Sequence, residues 1–334
     1  MEKLTLDKIF SEAIKMGASD IHLCVGEVVI FRIEGNLKRM TSFEKITSKK
    51  IQELIFPFFI PEILEKFKRD GEVDFSFSLP EVGRFRGSLY FSKGECTLVL
   101  RVIGTEVPNF KELGLPKELY QLVEYKNGLI LIVGSTGSGK TTTLASLVEY
   151  INQEKEVNII TVEDPIEYVF TNKKSIINQK EIGKDVASFS SALRTILRQD
   201  PDIIVIGELR DRESLEFALK ASETGHLVIS TLHTNGAVET IERIVSEFSK
   251  ENQEKIYKIL GNNLRGIISQ EFIGGKLGKR VLIYELLVVN TGIKNMIKTG
   301  NINQIYTLME NGIKDGMITK DICMERLRKI GAID

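Results

Sequence analysis

The pattern of hydrophobic and polar positions differs between the two halves of the chain. Residues 4–16 place apolar side chains at helical spacing, and short runs of alternating polarity follow them. Glycines bound these runs, which is typical of strands joined by turns. The predicted strands cover residues 21–23, 28–33, 37–40, 74–77, 84–90 and 97–102. Residues 1–103 are therefore predicted to form a small α+β domain.

The second half alternates strongly apolar runs with helical patterns. Continuous apolar runs are typical of parallel strands that are buried on both faces. They cover residues 129–133, 158–162, 203–206, 227–230 and 281–289. We expect residues 117–290 to form an α/β domain with crossover helices. Pro108 and Pro116 mark residues 104–116 as a linker, and residues 291–334 predict amphipathic helices broken at Gly300, Gly312 and Gly316.

Length, charge, cysteine content and apolar stretches argue against a nucleic-acid-binding, a disulfide-rich or a membrane-spanning protein. A chain of 334 residues usually exceeds one compact core, so two domains are expected. A net charge of -1 gives no overall electrostatic footprint for nucleic acid, and we expect no nucleic-acid partner. Cys24, Cys96 and Cys323 lie far apart, which predicts reduced thiols rather than a disulfide framework. No apolar stretch approaches the roughly 20 residues of a membrane helix, so membrane association would be peripheral.

Residues Gly134–Thr141, Gly-Ser-Thr-Gly-Ser-Gly-Lys-Thr, match the phosphate-binding loop in full, between an apolar strand and a helical run. The glycines let backbone N–H groups converge on phosphate oxygens, and the helix N-terminus adds a favourable dipole. Lys140 is predicted to reach the β- and γ-phosphates, and the Thr141 hydroxyl to bind Mg²⁺. The predicted nucleotide contacts are Ser135, Thr136, Gly137, Ser138, Gly139, Lys140, Thr141 and Thr142.

Carboxylates follow two other predicted strands, at the edge where ligands collect in open α/β sheets. Glu208 is the favoured general base that orients or deprotonates the attacking water. Glu163 holds the hydration shell of Mg²⁺ or serves as the alternative base. The competing interpretation is that these carboxylates cap helices, and it weighs most for Asp164, which precedes Pro165.

Two histidines, His226 and His233, flank one apolar strand. Seven residues of extended chain span at most about 23 Å, so both side chains cannot touch one phosphate. His233 follows the strand and is the better contact for the γ-phosphate. His226 is assigned to a subunit or helix contact.

These motifs together resemble those of the type II/IV secretion ATPases. Residues Thr161–Tyr168 resemble the family's Asp box, Ile203–Asp211 its Walker B segment and Thr224–Thr234 its His box, in the family's order. Gly17–Leu23 resembles the opening of its PAS-like domain. The resemblance implies a PAS-like α+β domain followed by a RecA-like P-loop ATPase domain with a C-terminal helical tail. It also implies hydrolysis of ATP with Mg²⁺.

Within that superfamily the chain is most similar to the retraction ATPases of type IV pili. Ile293–Lys298 resembles their signature Ala-Ile-Arg-Asn-Leu-Ile-Arg, although Lys294 and Lys298 replace the arginines. The tetracysteine zinc element of many extension ATPases is missing. The resemblance implies a cytoplasmic homohexamer, peripheral at the inner membrane, that acts on an inner-membrane pilus platform protein. The alternatives are a pilus-extension or protein-export ATPase, a nucleic-acid translocase and a nucleotide switch that does not hydrolyse ATP.

The resemblance further implies that three arginines of the N-terminal domain reach the nucleotide of a neighbouring subunit. These are Arg84, Arg86 and Arg101. A fixed guanidinium offsets charge on the transferring phosphoryl group. The alternation of Arg84 and Arg86 is equally compatible with a solvated strand face.

Overall fold

The computed structural model describes residues 5–79, 82–103, 107–276 and 280–334. The chain divides into two compact units, residues 1–106 and residues 107–334. The division falls inside the predicted linker, of which residues 104–106 lie outside the described residues, as does Leu4 of the first predicted helix. The linker remains a prediction.

The first unit is an antiparallel sheet with helices on one face. Its strand order is β3-β2-β1-β6-β5-β4, so the first strand pairs with the last. All six predicted strands are present. Two helices, α2 and α3, were not predicted. The elements are α1 (Leu6–Lys15), β1 (Ala18–Cys24), β2 (Ile30–Ile33), β3 (Asn36–Arg39), α2 (Ser48–Ile55), α3 (Pro61–Asp70), β4 (Glu72–Leu79), β5 (Gly83–Ser92) and β6 (Glu95–Ile103).

Alternation along the strands separates the two faces of this sheet. Phe85 and Leu89 of β5 point into the core, where the ring of Phe85 stacks on Phe10 of α1 with centroids 3.9 Å apart. Because successive side chains point to opposite faces, Arg84 and Arg86 lie on the other face. We call this second face, which carries polar side chains of β1, β4, β5 and β6, the polar face.

The second unit is a seven-stranded sheet of order β13-β12-β7-β11-β10-β8-β9. The predicted α/β organisation is confirmed. Its elements are α4 (Phe110–Leu113), α5 (Glu118–Leu122), β7 (Gly128–Val133), α6 (Lys140–Glu154), β8 (Asn158–Glu163), β9 (Ile176–Glu181), α7 (Phe189–Ile196), β10 (Ile203–Ile206), α8 (Arg212–Glu223), β11 (Leu227–Leu232), α9 (Ala237–Ser246), α10 (Lys250–Asn263), β12 (Leu264–Gly274), β13 (Arg280–Val288), α11 (Thr291–Thr299), α12 (Ile305–Asn311) and α13 (Lys320–Lys329).

The five predicted apolar runs all form strands, but one expectation was wrong. Residues 281–289 were predicted to form a parallel strand, whereas β13 pairs antiparallel with β12. The reason is the short connection between β12 and β13, because a parallel neighbour would need a crossover of a dozen or more residues. The other neighbouring pairs in this sheet are parallel.

Burial on both faces explains the apolar runs of the second unit. In β7, Leu131 packs in one apolar cluster with residues of α7 to α12, and Ile132 packs in the other with residues of α5, α6 and α13. Both side chains are fully buried. Strand β7 is therefore the centre of a three-layer structure, and its carboxyl end opens into the glycine-rich loop.

The predicted helix breaks in the C-terminal region are confirmed. Helix α11 ends at Gly300, which has a left-handed backbone with φ 73°, and α12 ends before Gly312. Gly261 lets α10 and α11 approach closely, because a methyl group there would lie 2.5 Å from Cγ of Lys298. In the ranges that the structure covers, no helix is long and apolar enough to cross a membrane.

Candidate functional site

The glycine-rich loop joins the buried strand β7 to the 15-residue helix α6. Gly137 and Gly139 have φ values of 78° and 87°, a region that side chains with a Cβ disfavour. Gly139 is the N-cap of α6, so the helix N-terminus faces the loop. All eight residues predicted to contact nucleotide lie on this loop or in the first turn of α6.

Lys140 points back across the loop. Its ammonium group donates to the carbonyl oxygens of Gly134 at 2.8 Å and Ser135 at 3.0 Å. Burial lowers the pKa of Lys140, and the negative charge of Glu208 acts in the opposite direction. Nζ also lies 3.3 Å from Nδ1 of His233, so the lysine faces the carboxyl end of the neighbouring strand β11.

A chain of polar contacts continues from Lys140 along the edge of the sheet. Nε2 of His233 lies 3.1 Å from Oε1 of Glu208. Oε2 of Glu208 accepts from Nε of Arg210 at 2.9 Å, and Nη1 of Arg210 lies 3.5 Å from Oδ2 of Asp164. We call these five residues the polar chain. A neutral His233 with its proton on Nε2 satisfies both neighbours, because Nδ1 then accepts from Lys140.

Glu163 lies at the end of β8, beside the polar chain but outside it. Its side chain is buried, and Oε1 accepts from Oγ1 of Thr161 at 2.7 Å and from Nε2 of Gln179 at 3.2 Å. Burial raises the pKa of Glu163, and the two hydrogen bonds act against that shift. Strand β8, which ends at Glu163, pairs with β10, which ends two residues before Glu208. A methyl group at Gly207 would lie 3.5 Å from Cα of Glu163, so the two strand ends lie close together.

The two histidines lie at opposite ends of β11, as their spacing predicts. Nδ1 of His226 lies 3.1 Å from the carbonyl oxygen of Ala221 in α8 and 3.3 Å from Oγ1 of Thr224. These contacts agree with the helix-contact alternative for His226. Only His233 lies with the loop.

The three arginines lie together on the polar face of the first unit. Arg84 is buried and donates to Oγ of Ser76 at 2.9 Å, so it is not a solvated side chain. Arg86 and Arg101 face each other across β5 and β6. Arg101 donates to Oδ1 of Asp20 at 3.1 Å, although its side chain is 68% exposed.

Sequence reasoning missed several residues of the site. Arg210 was part of a recognised motif but received no role. Thr161, Gln179 and Gln270, whose amide nitrogen donates to Thr143 of α6, were not considered. Tyr168, whose hydroxyl lies 3.2 Å from Oγ1 of Thr142, was also missed. Thr161 could have been predicted, because it precedes Glu163 by two residues in a strand and its side chain therefore lies on the same face. The others lie on segments whose contacts within the site depend on the tertiary fold.

Comparison with known proteins agrees with this geometry. The family model described as type II/IV secretion system protein matches residues 1–279. The type IV pilus retraction ATPase PilT of Pseudomonas aeruginosa is 37% identical over 330 residues, which are 99% of this chain and 96% of that protein. A twitching motility protein of Neisseria gonorrhoeae is 37% identical over 305 residues, 91% of this chain and 81% of that protein.

A solved structure extends the likeness to three dimensions. The crystal structure of the pilus retraction motor PilT with bound ADP matches with a TM-score of 0.93 and 46% identity, and covers 99% of this chain and 95% of that chain. The resemblance to retraction ATPases, inferred from Ile293–Lys298 and from the missing zinc element, is confirmed. The chain belongs to the type II/IV secretion system protein family.

Proposed function

We propose that this protein is the ATP-hydrolysing motor that powers retraction of type IV pili. The contact of Lys140 with His233, and through it with Glu208, carries the ATPase part of the proposal. These contacts join a phosphate-binding cation, Lys140, to a γ-phosphate contact, His233, and a carboxylate, Glu208, at the end of the sheet. Identity of 37% to a named retraction ATPase over 99% of the chain supports the direction of the motor.

The loop residues bind the polyphosphate of ATP. Backbone N–H groups of Ser135 to Thr142 and the dipole of α6 attract phosphate oxygens. The Lys140 ammonium exchanges its contacts with loop carbonyls for the β- and γ-phosphates. ADP in the related crystal structure supports this ligand class.

Mg²⁺ would enter with the nucleotide. In the described part of the chain no group of three or more His, Cys, Asp or Glu side chains could hold a metal ion. The donor set fits an ion bound by the Thr141 hydroxyl and by phosphate oxygens, with Glu163 or Glu208 holding its water shell. The ion would neutralise charge that develops on the phosphates.

The contacts of Glu208 and Glu163 favour Glu163 as the general base. The sequence favours Glu208, but both of its oxygens are engaged, one by His233 and the other by Arg210. Glu163 carries a pKa raised by burial, and a base is most effective when its pKa approaches the working pH. We therefore assign the base to Glu163. Glu208 orients His233.

The protein works as a homohexamer, with Arg84, Arg86 and Arg101 facing the nucleotide of a neighbouring subunit. We assign the first unit to the PAS-like domains on its antiparallel sheet covered by helices on one face. The second unit, with its central parallel strands, is assigned to the RecA-like domains. The linker at residues 104–116 is the hinge between them.

The motor acts in the cytoplasm, peripheral at the inner membrane, on the cytoplasmic side of a pilus platform protein. A pilus-extension or protein-export ATPase shares the same catalytic motifs and is the main alternative. A nucleic-acid translocase would need a DNA-dependent rate of hydrolysis and a steep dependence on salt.

Removal of each carboxylate separates their roles. Glu163→Gln should lower kcat by about 10²- to 10⁴-fold and leave ATP binding intact, because only the proton acceptor is lost. Glu208→Gln should retain measurable turnover, and Lys140→Ala should abolish it. Steady-state kinetics and binding of a fluorescent ATP analogue measure these effects. Glu216→Gln removes an exposed carboxylate on α8 and serves as the matched control. A more severe loss in Glu208→Gln than in Glu163→Gln would return the base to Glu208.

The dependence of activity on pH should report Glu163. The base must be ionised, so kcat falls as pH falls through the raised pKa, and the acid limb should lie above the ordinary value of 4.5. Thr161→Val removes a hydrogen bond that favours the ionised form, so the limb should move to higher pH. Ser230→Ala removes another buried hydroxyl of the sheet and should leave the limb in place. An unmoved limb in Thr161→Val would contradict the assignment.

Mixed oligomers test action across subunits. Subunits with Arg101→Ala and subunits with Lys140→Ala should each be inactive alone and partly active when mixed, because some interfaces then contain both intact parts. A mixture of Arg101→Ala with Arg86→Ala subunits is the control, since no interface recovers the whole set of arginines. Absence of recovery at every ratio would argue that Arg101 does not act on a neighbour's nucleotide.

Pilus number distinguishes retraction from extension. Cells without the gene should carry normal or excess pili and lose twitching motility, because assembly continues while disassembly stops. The unsubstituted gene should restore motility, and the Glu163→Gln gene should not. Electron microscopy and surface-motility assays measure both traits. Bald cells would assign the protein to extension or export.

A further inference from the structure

Gln270 is a buried polar residue beside the glycine-rich loop. Strand β12 pairs with β7 up to Ser269 and Val133, so Gln270 lies next to the first residue of the loop. Its side chain is 2% exposed and follows the buried residues Ile267 and Ile268. A buried amide costs free energy unless it is hydrogen-bonded, so its presence at this position requires a reason.

The backbone of Gln270 fixes the start of the loop. A methyl group added at Gly134 would lie 2.3 Å from the carbonyl oxygen of Gln270, and Gly134 has a φ of 148°. No other residue fits there without a shift of the backbone. The loop therefore leaves β7 in direct contact with β12.

The side chain of Gln270 contacts the other end of the loop. Its Nε2 donates to Oγ1 of Thr143 at 2.9 Å, and Thr143 is itself buried in the first turn of α6. Gln270 thus touches both the residue that opens the loop and the helical turn that follows Lys140 and Thr141.

The same region holds two polar atoms that are costly for folding. Among the described residues, Oε1 of Gln270 and Oγ of Ser138 are buried without a hydrogen-bond partner. Oγ of Ser138 lies 2.5 Å from the methyl position at Gly134, so both atoms belong to the surroundings of the loop. A methionine at position 270 would fill similar space and remove the unpaired Oε1, at the cost of the hydrogen bond to Thr143, so the glutamine brings little net stability.

We propose that Gln270 is a positioning residue of the ATPase, which holds the two ends of the loop at the spacing at which Lys140 and Thr141 meet the phosphates. It acts through Thr143 and does not touch the nucleotide. The inference rests on the proposed function of the loop.

The variant Gln270→Met tests the inference, because it keeps the length of the side chain and removes both polar atoms. We expect kcat to fall on the order of tenfold from misplacement of Lys140 and Thr141, with little change in KM for ATP. The melting temperature should change little, because removal of the unpaired Oε1 offsets the loss of the hydrogen bond to Thr143. If Gln270 only stabilised the core, Gln270→Met would lower the melting temperature instead.

Two further variants give the controls. Ile267→Met changes a buried residue of the same strand and should lower stability without changing kcat. Thr143→Val removes the partner of Gln270, and in that background Gln270→Met should cause little further loss of kcat, since coupled residues are not additive.

The outcomes separate this inference from the proposed function. Unchanged kcat in Gln270→Met, with Lys140→Ala inactive, would overturn the role of Gln270 and leave the function of the loop intact. Parallel losses of kcat and stability that add to those of Thr143→Val would make Gln270 a core residue and also overturn the inference. Full turnover in Lys140→Ala would instead overturn the function of the loop.

Discussion

The parallel register of β7, β11, β10 and β8 is the constraint on which the site depends. Leu232 pairs with Val133, and Ser230 pairs with Ile206, which in turn pairs with Val162. Because these strands run in the same direction, the residues that follow them emerge at one edge of the sheet. The polar chain crosses that edge in the spatial order of the strands. A slip in any one pairing would separate its members.

Burial divides the titratable groups of this edge into two classes. Glu208 and Arg210 are partly exposed and oppositely charged, and the hydrogen bond to Glu208 raises the pKa of Arg210. Glu163 is buried among neutral donors, which hydrogen-bond its charge without cancelling it. Desolvation therefore dominates at Glu163, and its pKa rises although two hydrogen bonds oppose the rise. Two carboxylates on neighbouring strands thus acquire different chemistry from their surroundings alone.

The sequence predicts the features that are encoded locally. Apolar runs predict the central strands, because parallel strands buried on both faces admit few polar residues, and the loop motif identifies the β7–α6 junction. Contacts between distant segments could not be predicted. Strand β9 is a half-polar edge strand, and β12 follows α10 without a break, so neither shows a separate apolar pattern. Gln270 lies 130 residues after Lys140 in the sequence, and the pairing of β12 with β7 brings it to the loop.

The C-terminal signature illustrates the difference between a motif and a function. Ile293 and Ile297 are fully buried in the core, so apolar side chains at these positions serve the packing of α11 in this protein. Lys298 packs its stem against Gly261 of α10, a contact that lysine and arginine can both make. The two residues differ in the geometry of the charged group, because only arginine presents a planar fork of donors. The resemblance of this segment to the retraction signature thus reflects packing in part, and identity along the whole chain is the stronger support for retraction.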